Sequence, residues 1–520
     1  MKEDHYDILI VGSGAGGAPA AWNLSNIGLK VACFEQGEEI NKSQLIKDNL
    51  WEYVRQTKYS SNPNKRNLKS DYPIDNNNSP ISIANFNGVG GSTFLYSAHL
   101  PRFRSNDFKI KSFDNVGCDW PINYKDLKKF YELNEKIIGI AGKIGDPAYP
   151  DIKNLLKPVK LENSGKIISK GFKKLGWHFW PSYSGIVTSK FKNRKINSLS
   201  DMNNSYWPLA IKNGVDLYTN TRVSKIKIDK KGYASGVYYF NKNNIEKFQS
   251  ATIIILACGG IGTPRILLNS KTKKFKDGIA NSSGLVGKNL MLHPLGFVEG
   301  SFKNLKDSFK GPEGCNIYSH NFHGKNKYTK FNRGYTIQVL RGDNPISAAL
   351  SSYKFKELRF GKNHHKQFAQ NYGNKIPIAI ICEDLPQKQN FIELDNKRKD
   401  YNGIPGVKIN YMLSKNSKKM LAHGLKKGKE LMEASGSKKT IAYGPVKHTG
   451  WHIMGTAKMG KKKTNSVVNS FGQTHDVKNL YIVDSSIFST SSSVNPVNTI
   501  ISLSLMITDG IKKDYLKNQK

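Results

Sequence analysis

The chain has 520 residues, of which 38% are hydrophobic, and this length is enough for two domains with a large buried interior. The 80 Lys and Arg against 40 Asp and Glu give a formal net charge of +40, but only 11 of the basic residues are Arg and the Lys are scattered over every segment. Nucleic-acid interfaces favour clustered Arg, so the composition argues against a nucleic-acid partner. No apolar run approaches the length of a transmembrane segment, and a first strand that begins by Tyr6 leaves no room for a leader, which predicts a cytoplasmic protein.

The N-terminal segment has the pattern of a dinucleotide-binding βαβ unit. In order, it contains a strand over 7–11, the glycines Gly12, Gly14 and Gly17, a small-residue helix start, and a second strand over 29–34 that ends at Glu35. The glycines allow a tight turn and close approach of backbone to a pyrophosphate, whose charge the helix N-terminus favours. An acid at the position of Glu35 suits a ribose hydroxyl and disfavours NADP, whereas NAD and FAD stay open at this point.

Residues 41–80 form a polar, Asn-rich excursion that we predict to be a mobile loop or lid. A second glycine-rich loop follows, with Gly88, Gly90, Gly91 and Ser92, and it would let backbone lie against a large flat ring. Further along, an apolar strand over 251–256 runs into Ala257 and another glycine-rich turn. These turns predict that the chain returns repeatedly to one cofactor.

The segment 299–444 contains short β-like runs at 378–382 and 406–411 and a Lys-rich amphipathic helix, which together predict a mixed sheet. Before it, the aromatic cluster at 175–183 could stack on a sugar, although packing in a domain core is the favoured interpretation. The C-terminal fifth carries three further motifs, centred on His452, Asp484 and Asn495.

Taken in order, these motifs resemble the glucose-methanol-choline (GMC) family of FAD-dependent oxidoreductases over nearly the whole chain. Smaller stretches at 119–122 and 283–294 agree, and residues 106–122 are most similar to bacterial sugar and polyol dehydrogenase large subunits of the glucose, gluconate and sorbitol type. The resemblance implies an α/β fold with a doubly wound, Rossmann-like FAD domain at 1–118, 206–298 and 445–520. An α+β substrate domain with a mixed or antiparallel sheet would then comprise 119–205 and 299–444.

The resemblance also implies the chemistry. His452 would be the general base that takes a proton from an alcohol, and Asn495 would donate a hydrogen bond to the alkoxide. The implied cofactor-binding set consists of Gly12, Gly14, Gly17, Glu35, Gly88, Gly90, Gly91, Ser92, Val223, Ala257, Asp484 and Asn495. We expect no metal site, since His448 and His452 are separated by a Thr-Gly turn signal and lack a nearby acid.

Two departures from relatives refine the expected cofactor content. Phe94 stands where relatives with covalent flavin have a histidine, so FAD is expected to be noncovalent. Some sugar dehydrogenases carry an iron–sulfur loop in the place of residues 195–206, but this stretch has no cysteine, and the five cysteines are far apart. A cluster is therefore not expected.

The predicted function is oxidation of a primary or secondary alcohol group of a sugar, polyol or related small molecule, with electrons passed to a quinone or cytochrome-type acceptor. An oxygen-using oxidase of the choline or small-alcohol type is an alternative, and a binding subunit that kept the fold without the chemistry is another. Some relatives are exported together with a partner subunit, so periplasmic location by co-export is the alternative to a cytoplasmic one.

Overall fold

The protein is described by a computed structural model that covers residues 5–47, 50–66, 68–150, 152–311, 313–324, 329–358 and 360–518. The strands of these residues are β1 (Tyr6–Val11), β2 (Val31–Phe34), β3 (Ile74–Asn78), β4 (Trp180–Pro181), β5 (Asp216–Tyr218), β6 (Arg222–Ile228), β7 (Ala234–Phe240), β8 (Glu246–Leu256), β9 (Leu295–Ser301), β10 (Cys315–Ser319), β11 (Tyr335–Leu340), β12 (Lys375–Cys382), β13 (Phe391–Lys399), β14 (Pro405–Asn410), β15 (Lys439–Tyr443) and β16 (Leu480–Ile482).

The helices are α1 (Gly17–Ser25), α2 (Lys42–Lys47), α3 (Trp51–Gln56), α4 (Pro63–Arg66), α5 (Ile110–Asp114), α6 (Tyr124–Ile138), α7 (Glu162–Leu175), α8 (Tyr206–Lys212), α9 (Gly259–Asn269), α10 (Pro345–Lys354), α11 (His364–Asn371), α12 (Lys415–Ala434) and α13 (Val497–Asn518). Short 3₁₀ turns lie at Gly91–Phe94, Ser105–Phe108, Lys463–Asn465 and Ser485–Ile487. None of the helices in the described ranges is long and apolar enough to cross a bilayer.

The first sheet has the order β5-β2-β1-β8-β7-β6, and β16 also pairs with β8. The pairs that join β5, β2, β1, β8 and β16 are parallel, whereas β6 and β7 form an antiparallel extension. β1 reads as a continuous apolar run because helices cover both faces of a parallel sheet. The sheet is completed by residues from both ends of the chain, since β16 and α13 pack on the N-terminal unit.

The second sheet has the order β15-β9-β12-β11-β10-β4, and all its pairs are antiparallel. The Lys-rich helix α12 packs across it through an apolar stripe that includes Met420, Leu421, Leu431 and Met432. The run at 378–382 is part of β12 in this sheet, as predicted. The run at 406–411 is not: β14 belongs to a separate sheet of three strands, β13-β14-β3.

The excursion at 41–80 contains the three short helices α2, α3 and α4 and ends in β3, so its prediction as a loop was wrong for these elements; Asp48, Asn49 and Asn67 lie outside the described residues. Arg66 anchors it, with its guanidinium bonded to Asp71 and to the Ser60 carbonyl at 2.8 Å while only 5% of the residue is exposed. The Asn-rich end forms β3, which lies at the sheet edge, where polar side chains are tolerated.

The predicted domain boundaries remain predictions, but the strands give them a physical frame. Position 298 falls inside β9, so the change from the first sheet to the second comes before that strand. α6, which we assigned to the substrate domain, packs on α13 beside the first sheet, and its buried side chains share one hydrophobic core with β1.

Candidate active site

A cavity of about 420 Å³ lies between the carboxyl ends of the parallel strands and one face of the second sheet. Carboxyl ends of parallel strands are the usual ligand site of doubly wound sheets. Ten of the predicted site residues line this cavity: Gly12, Gly14, Glu35, Gly91, Ser92, Val223, Ala257, His452, Asp484 and Asn495. Residues from positions 12 to 495 therefore meet at one place.

Two glycine loops cross at the cavity wall. Gly12 has φ +100°, and a Cβ there would lie 2.6 Å from the Ala257 carbonyl oxygen. A Cβ on Gly91, whose φ is +55°, would lie 2.9 Å from the Gly14 Cα. Because any side chain would fill the crossing, these glycines leave exposed backbone for a ligand to lie against.

The other three predicted glycines, Gly17, Gly88 and Gly90, are outside the cavity lining. A Cβ on Gly17 would overlap the Gly12 carbonyl oxygen at 1.8 Å, so this glycine lets α1 pack closely on the loop. Gly88 packs against the Phe86 ring, and Gly90 has φ +88° with Asn203 close to it. These positions shape the loops and do not contact the cavity.

Glu35 lies at the end of β2 with its carboxylate inside the cavity wall. One oxygen accepts hydrogen bonds from the Ser13 hydroxyl at 2.6 Å and the Ser13 amide at 3.1 Å, and the other accepts from the Gly37 amide at 2.9 Å. Burial raises the pKa of the carboxyl, and these hydrogen bonds oppose that rise. The carboxylate is thereby held in a fixed orientation toward the cavity.

Asp484 joins the glycine-rich turn at the start of α9 to the short turn at Ser485–Ile487. Its Oδ2 accepts from the Gly259 amide at 2.9 Å and the Thr263 hydroxyl at 2.5 Å, while its Oδ1 accepts from the Ser486 amide at 2.8 Å. Burial raises its pKa. The carboxylate therefore ties the start of α9 to the end of β16 at the cavity edge.

A directed hydrogen-bond chain leads to Asn495 from the second sheet. The Cys315 amide donates to His99 Nε2 at 2.8 Å, so this nitrogen is the acceptor of the ring. Burial lowers the pKa of His99 to about 4, and the neighbouring Gln338 side chain opposes this shift. Gln338 itself donates its Nε2 to Asn495 Oδ1 at 2.6 Å.

The same chain continues through the candidate base. With its oxygen occupied, Asn495 directs Nδ2 at His452 Nε2, 3.3 Å away. His452 Nδ1 lies 2.8 Å from His293 Nδ1, and His293 Nε2 lies 3.0 Å from the Ser492 carbonyl oxygen. A carbonyl only accepts, so His293 donates there and accepts from His452. His452 therefore carries its proton on Nδ1 and presents an unprotonated Nε2.

Burial keeps these imidazoles neutral. The pKa of His293 is lowered to about 4, and that of His452 is lowered well below its ordinary value by burial and by the neighbouring His293 and His99. A neutral His452 with a free lone pair on Nε2 is the form that a general base requires.

The wall opposite this pair is apolar. It is built from side chains on one face of the second sheet: Leu295 and Phe297 of β9, Leu340 of β11, and Ala379 and Ile381 of β12. Gln338 is the polar exception on these strands. The site thus combines one acceptor and one donor with a hydrophobic surround.

Comparison with family models now decides the class of protein. The model of the GMC oxidoreductase N-terminal region matches residues 6–295, and that of the C-terminal region matches residues 386–504. The chain belongs to the GMC oxidoreductase family. It is therefore an oxidoreductase that acts on CH–OH donors, and family membership implies FAD as its cofactor.

This GMC oxidoreductase is similar over its whole length to characterised relatives. It is 35% identical to the 2-methyl-1,2-propanediol dehydrogenase of Mycolicibacterium austroafricanum, covering 98% of this chain and 96% of the relative. It is 26% identical to the fructose dehydrogenase large subunit of Gluconobacter japonicus, with 98% of each chain covered. Among solved structures, pyridoxine 4-oxidase from Mesorbium loti matches with a TM-score of 0.68 at 14% identity, covering 98% of this chain and 99% of that one.

Sequence reasoning missed three side chains of this GMC site. His293 ends one of the motifs that carried the resemblance, and that signal could have drawn attention to it. His99 follows the second glycine-rich loop by a few residues, and that position could have drawn attention to it. Gln338 had no motif, because it lies in an ordinary strand whose alternate residues are apolar.

Two other predictions concern residues near the site. Phe94 does not line the cavity; it stacks on Phe86 with ring centroids 4.8 Å apart, inside a small hydrophobic cluster. The aromatic residues at 177–180 are half-buried, with Trp177 packed against Phe322 and Phe179 against Phe172, and the cluster at 175–183 does not contribute to the cavity lining.

Proposed function

We propose that this protein is a dehydrogenase that oxidises a primary or secondary alcohol group of a sugar, polyol or related small molecule, with His452 as the general base. The observation that carries the proposal is the hydrogen-bond chain that runs from Gln338 through Asn495, His452 and His293 to the Ser492 backbone carbonyl. Its polarity leaves His452 Nε2 as an acceptor and Asn495 Nδ2 as a donor, both facing the cavity.

The residues of the cavity fit FAD. Gly12, Gly14 and Gly91 leave the open backbone that a pyrophosphate needs, Glu35 presents a carboxylate suited to ribose hydroxyls, and Asp484 braces the turn at α9. Bound FAD supplies a hydride acceptor for the alcohol carbon. Noncovalent attachment is part of the proposal and is supported by Phe94, whose position outside the cavity lining offers no linkage there.

The chain's own residues handle the proton and the developing charge. A substrate hydroxyl placed between His452 and Asn495 would donate to Nε2 and accept from Nδ2, replacing their mutual contact of 3.3 Å. Proton transfer to Nε2 leaves an alkoxide that Asn495 stabilises. The resulting imidazolium keeps its Nδ1 donor on His293, which is held by the Ser492 carbonyl.

The substrate remains a proposal at the level of class. The apolar wall on β9, β11 and β12 favours a compact molecule with one face free of hydroxyls. The 2-methyl-1,2-propanediol dehydrogenase relative, by its name, acts on a small diol, which supports this class.

Electron transfer to a quinone or a cytochrome-type protein, and a cytoplasmic or co-exported location, are carried forward as proposals. A panel of diols, polyols and sugars, assayed with an artificial dye beside an oxygen electrode, tests the function. Dye reduction that outpaces oxygen consumption would support a dehydrogenase, whereas the reverse would establish the oxidase. No oxidation of any alcohol by yellow, FAD-loaded protein would favour the inactive binding subunit.

A further inference from the structure

An exposed apolar patch surrounds the helices that border the cavity. Six large hydrophobic side chains of the described residues are exposed within two short segments: Ile46, Leu50 and Tyr53 around α2 and α3, and Ile346, Leu350 and Phe360 around α10. Phe360 is 87% exposed and Tyr53 is 58% exposed. We call these six residues the apolar patch.

The two segments are neighbours in space. The Ser347 amide donates to Glu52 at 2.8 Å, and Gln56 donates to the Ser347 hydroxyl at 3.4 Å, so α3 and α10 lie side by side. On α10, Ile346 and Leu350 are four residues apart and share one helix face. The exposed apolar side chains therefore lie on neighbouring elements of the surface.

The same helices also contribute side chains to the walls of two cavities. Arg55 of α3 lines the main cavity, and Ala348, Ser351 and Ser352 of α10 line a second cavity of about 210 Å³ on the side opposite Leu350. The two cavities share Phe297 and Leu340 in their walls. The apolar patch is thus the outer surface of the elements that cover the route to His452.

Lysines predominate among the exposed charged residues on the segments of the patch. Exposed lysines lie beside it on the same segments: Lys58, Lys354, Lys356, Lys362 and Lys366. The described acids of these stretches are engaged inside the fold, since Glu52 accepts the Ser347 amide and Glu357 pairs with Lys375 and Lys439. An apolar surface with exposed lysines on the same segments complements an interface of acyl chains below anionic phosphates.

We propose that this surface docks the protein on an anionic phospholipid membrane, with the apolar patch inserted among the headgroups and these lysines on the phosphates. Docking would bring the cover of the cavity to the bilayer without any spanning segment. The proposal does not depend on the alcohol substrate or on His452.

Vesicle flotation of the FAD-loaded protein tests it. We expect binding to vesicles of equal parts phosphatidylcholine and phosphatidylglycerol, and little binding to phosphatidylcholine alone. Phe360→Ser should lower partitioning about tenfold, because it removes an inserted aromatic side chain. Phe471→Ser, at a site 64% exposed on a different surface, is the matched control and should leave partitioning unchanged.

A charge pair completes the experiment. Lys362→Glu with Lys366→Glu should weaken binding more than Lys230→Glu with Lys231→Glu, which changes the net charge equally on the β6–β7 turn. An unchanged flavin spectrum and melting temperature would show that each variant is folded. Equal losses in the test and control pairs would overturn the proposal, as would absence of binding to the anionic vesicles. Concentration-dependent self-association that Phe360→Ser abolishes, without vesicle binding, would make the patch a protein interface instead.

Discussion

His452 is prepared for proton transfer by contacts on both ring nitrogens. Nδ1 is committed to His293, so the lone pair on Nε2 is the only one available to a substrate. Since a positioned base contributes about a hundredfold to ten-thousandfold, His452→Ala should slow substrate-driven flavin reduction by at least about a hundredfold. FAD content should be unchanged, because Gly12, Glu35 and Asp484 hold other parts of the cavity.

Stopped-flow bleaching of the flavin absorbance measures this rate. Asn495→Ala should give a smaller loss, because it removes one hydrogen bond to the alkoxide and leaves the base in place. Reduction at close to the wild-type rate in the His452 variant would mean that another group takes the proton.

Burial also sets the expected pH dependence. As the proposed base, His452 acts only when neutral, so we expect flavin reduction to be fast above its pKa and to be lost as pH falls through that value. Because burial, His293 and His99 lower the pKa from the ordinary 6.5, the acid limb should lie below pH 6.5. The reduction rate at saturating substrate, followed from pH 8 downward, checks this; a midpoint above pH 7 would contradict it.

Gln338 orients Asn495, although it touches neither the base nor the candidate cofactor loops in the described contacts. Gln338→Glu replaces the Nε2 donor by an acceptor, so the Asn495 amide should turn and present its oxygen to His452 Nε2. Two acceptors would then face each other, and we expect flavin reduction to fall by about tenfold or more.

Tyr318→Phe is the matched variant, since it removes only the second donor to Asn495 Oδ1, at 3.1 Å, and leaves Gln338 in place. It should change the rate far less. Equal effects of the two variants would show that amide orientation does not matter and that both act through packing.

At the scale of secondary-structure elements, the crossing of the two glycine loops creates the cofactor side of the cavity. Gly91→Ala would place a Cβ 2.9 Å from Gly14 and push the loops apart, so FAD retention should fall. Gly28→Ala is the control: its φ is +77° and no atom lies within 4 Å of the added Cβ. Both variants carry a backbone penalty of about 1–2 kcal/mol, but only Gly91→Ala should lose flavin on gel filtration.

Wild-type flavin content in folded Gly91→Ala protein would show that the loop crossing is not part of the cofactor site.

The helices at 42–66 also depend on a contact that the sequence pattern does not show. The segment 41–80 that contains them is Asn-rich, which is typical of loops, but the buried Arg66 and its bond to Asp71 organise it. Such a contact is made in three dimensions and leaves no periodic pattern in the chain.

At the scale of the whole molecule, we expect electrons to leave the protein from the flavin alone. The five cysteines Cys33, Cys118, Cys258, Cys315 and Cys382 are free and dispersed, and residues 195–206, where some sugar dehydrogenases carry an iron–sulfur loop, contain none of them. We therefore expect the purified protein to reduce an artificial dye directly from reduced flavin, without iron absorbance. Stoichiometric iron in elemental analysis would refute this. Apoprotein from which the flavin has been removed is the reference for the flavin count.

Net charge is also a property of the whole molecule. The lysines are scattered along the chain, and this spacing argued against a nucleic-acid interface. Five of them nevertheless lie on the segments of the apolar patch, where we propose that they contact lipid phosphates.

The sequence by itself determined the family, the cofactor loops and the two candidate catalytic residues. These features are local: a glycine turn between a strand and a helix needs particular residue types at fixed spacing, and the motif records that need. His452 and Asn495 were accessible for the same reason, because each sits in a short motif near the C-terminus.

Only the tertiary structure decided how those two residues are held. The chain that orients them passes through Gln338 and His293, which come from distant parts of the sequence, and its direction depends on the backbone carbonyl of Ser492. Nearly every residue carries the same backbone donor and acceptor, so no residue pattern predicts which backbone group will bind a given side chain. The apolar wall and the exposed patch have the same origin, since each exists only where separate strands or helices lie side by side.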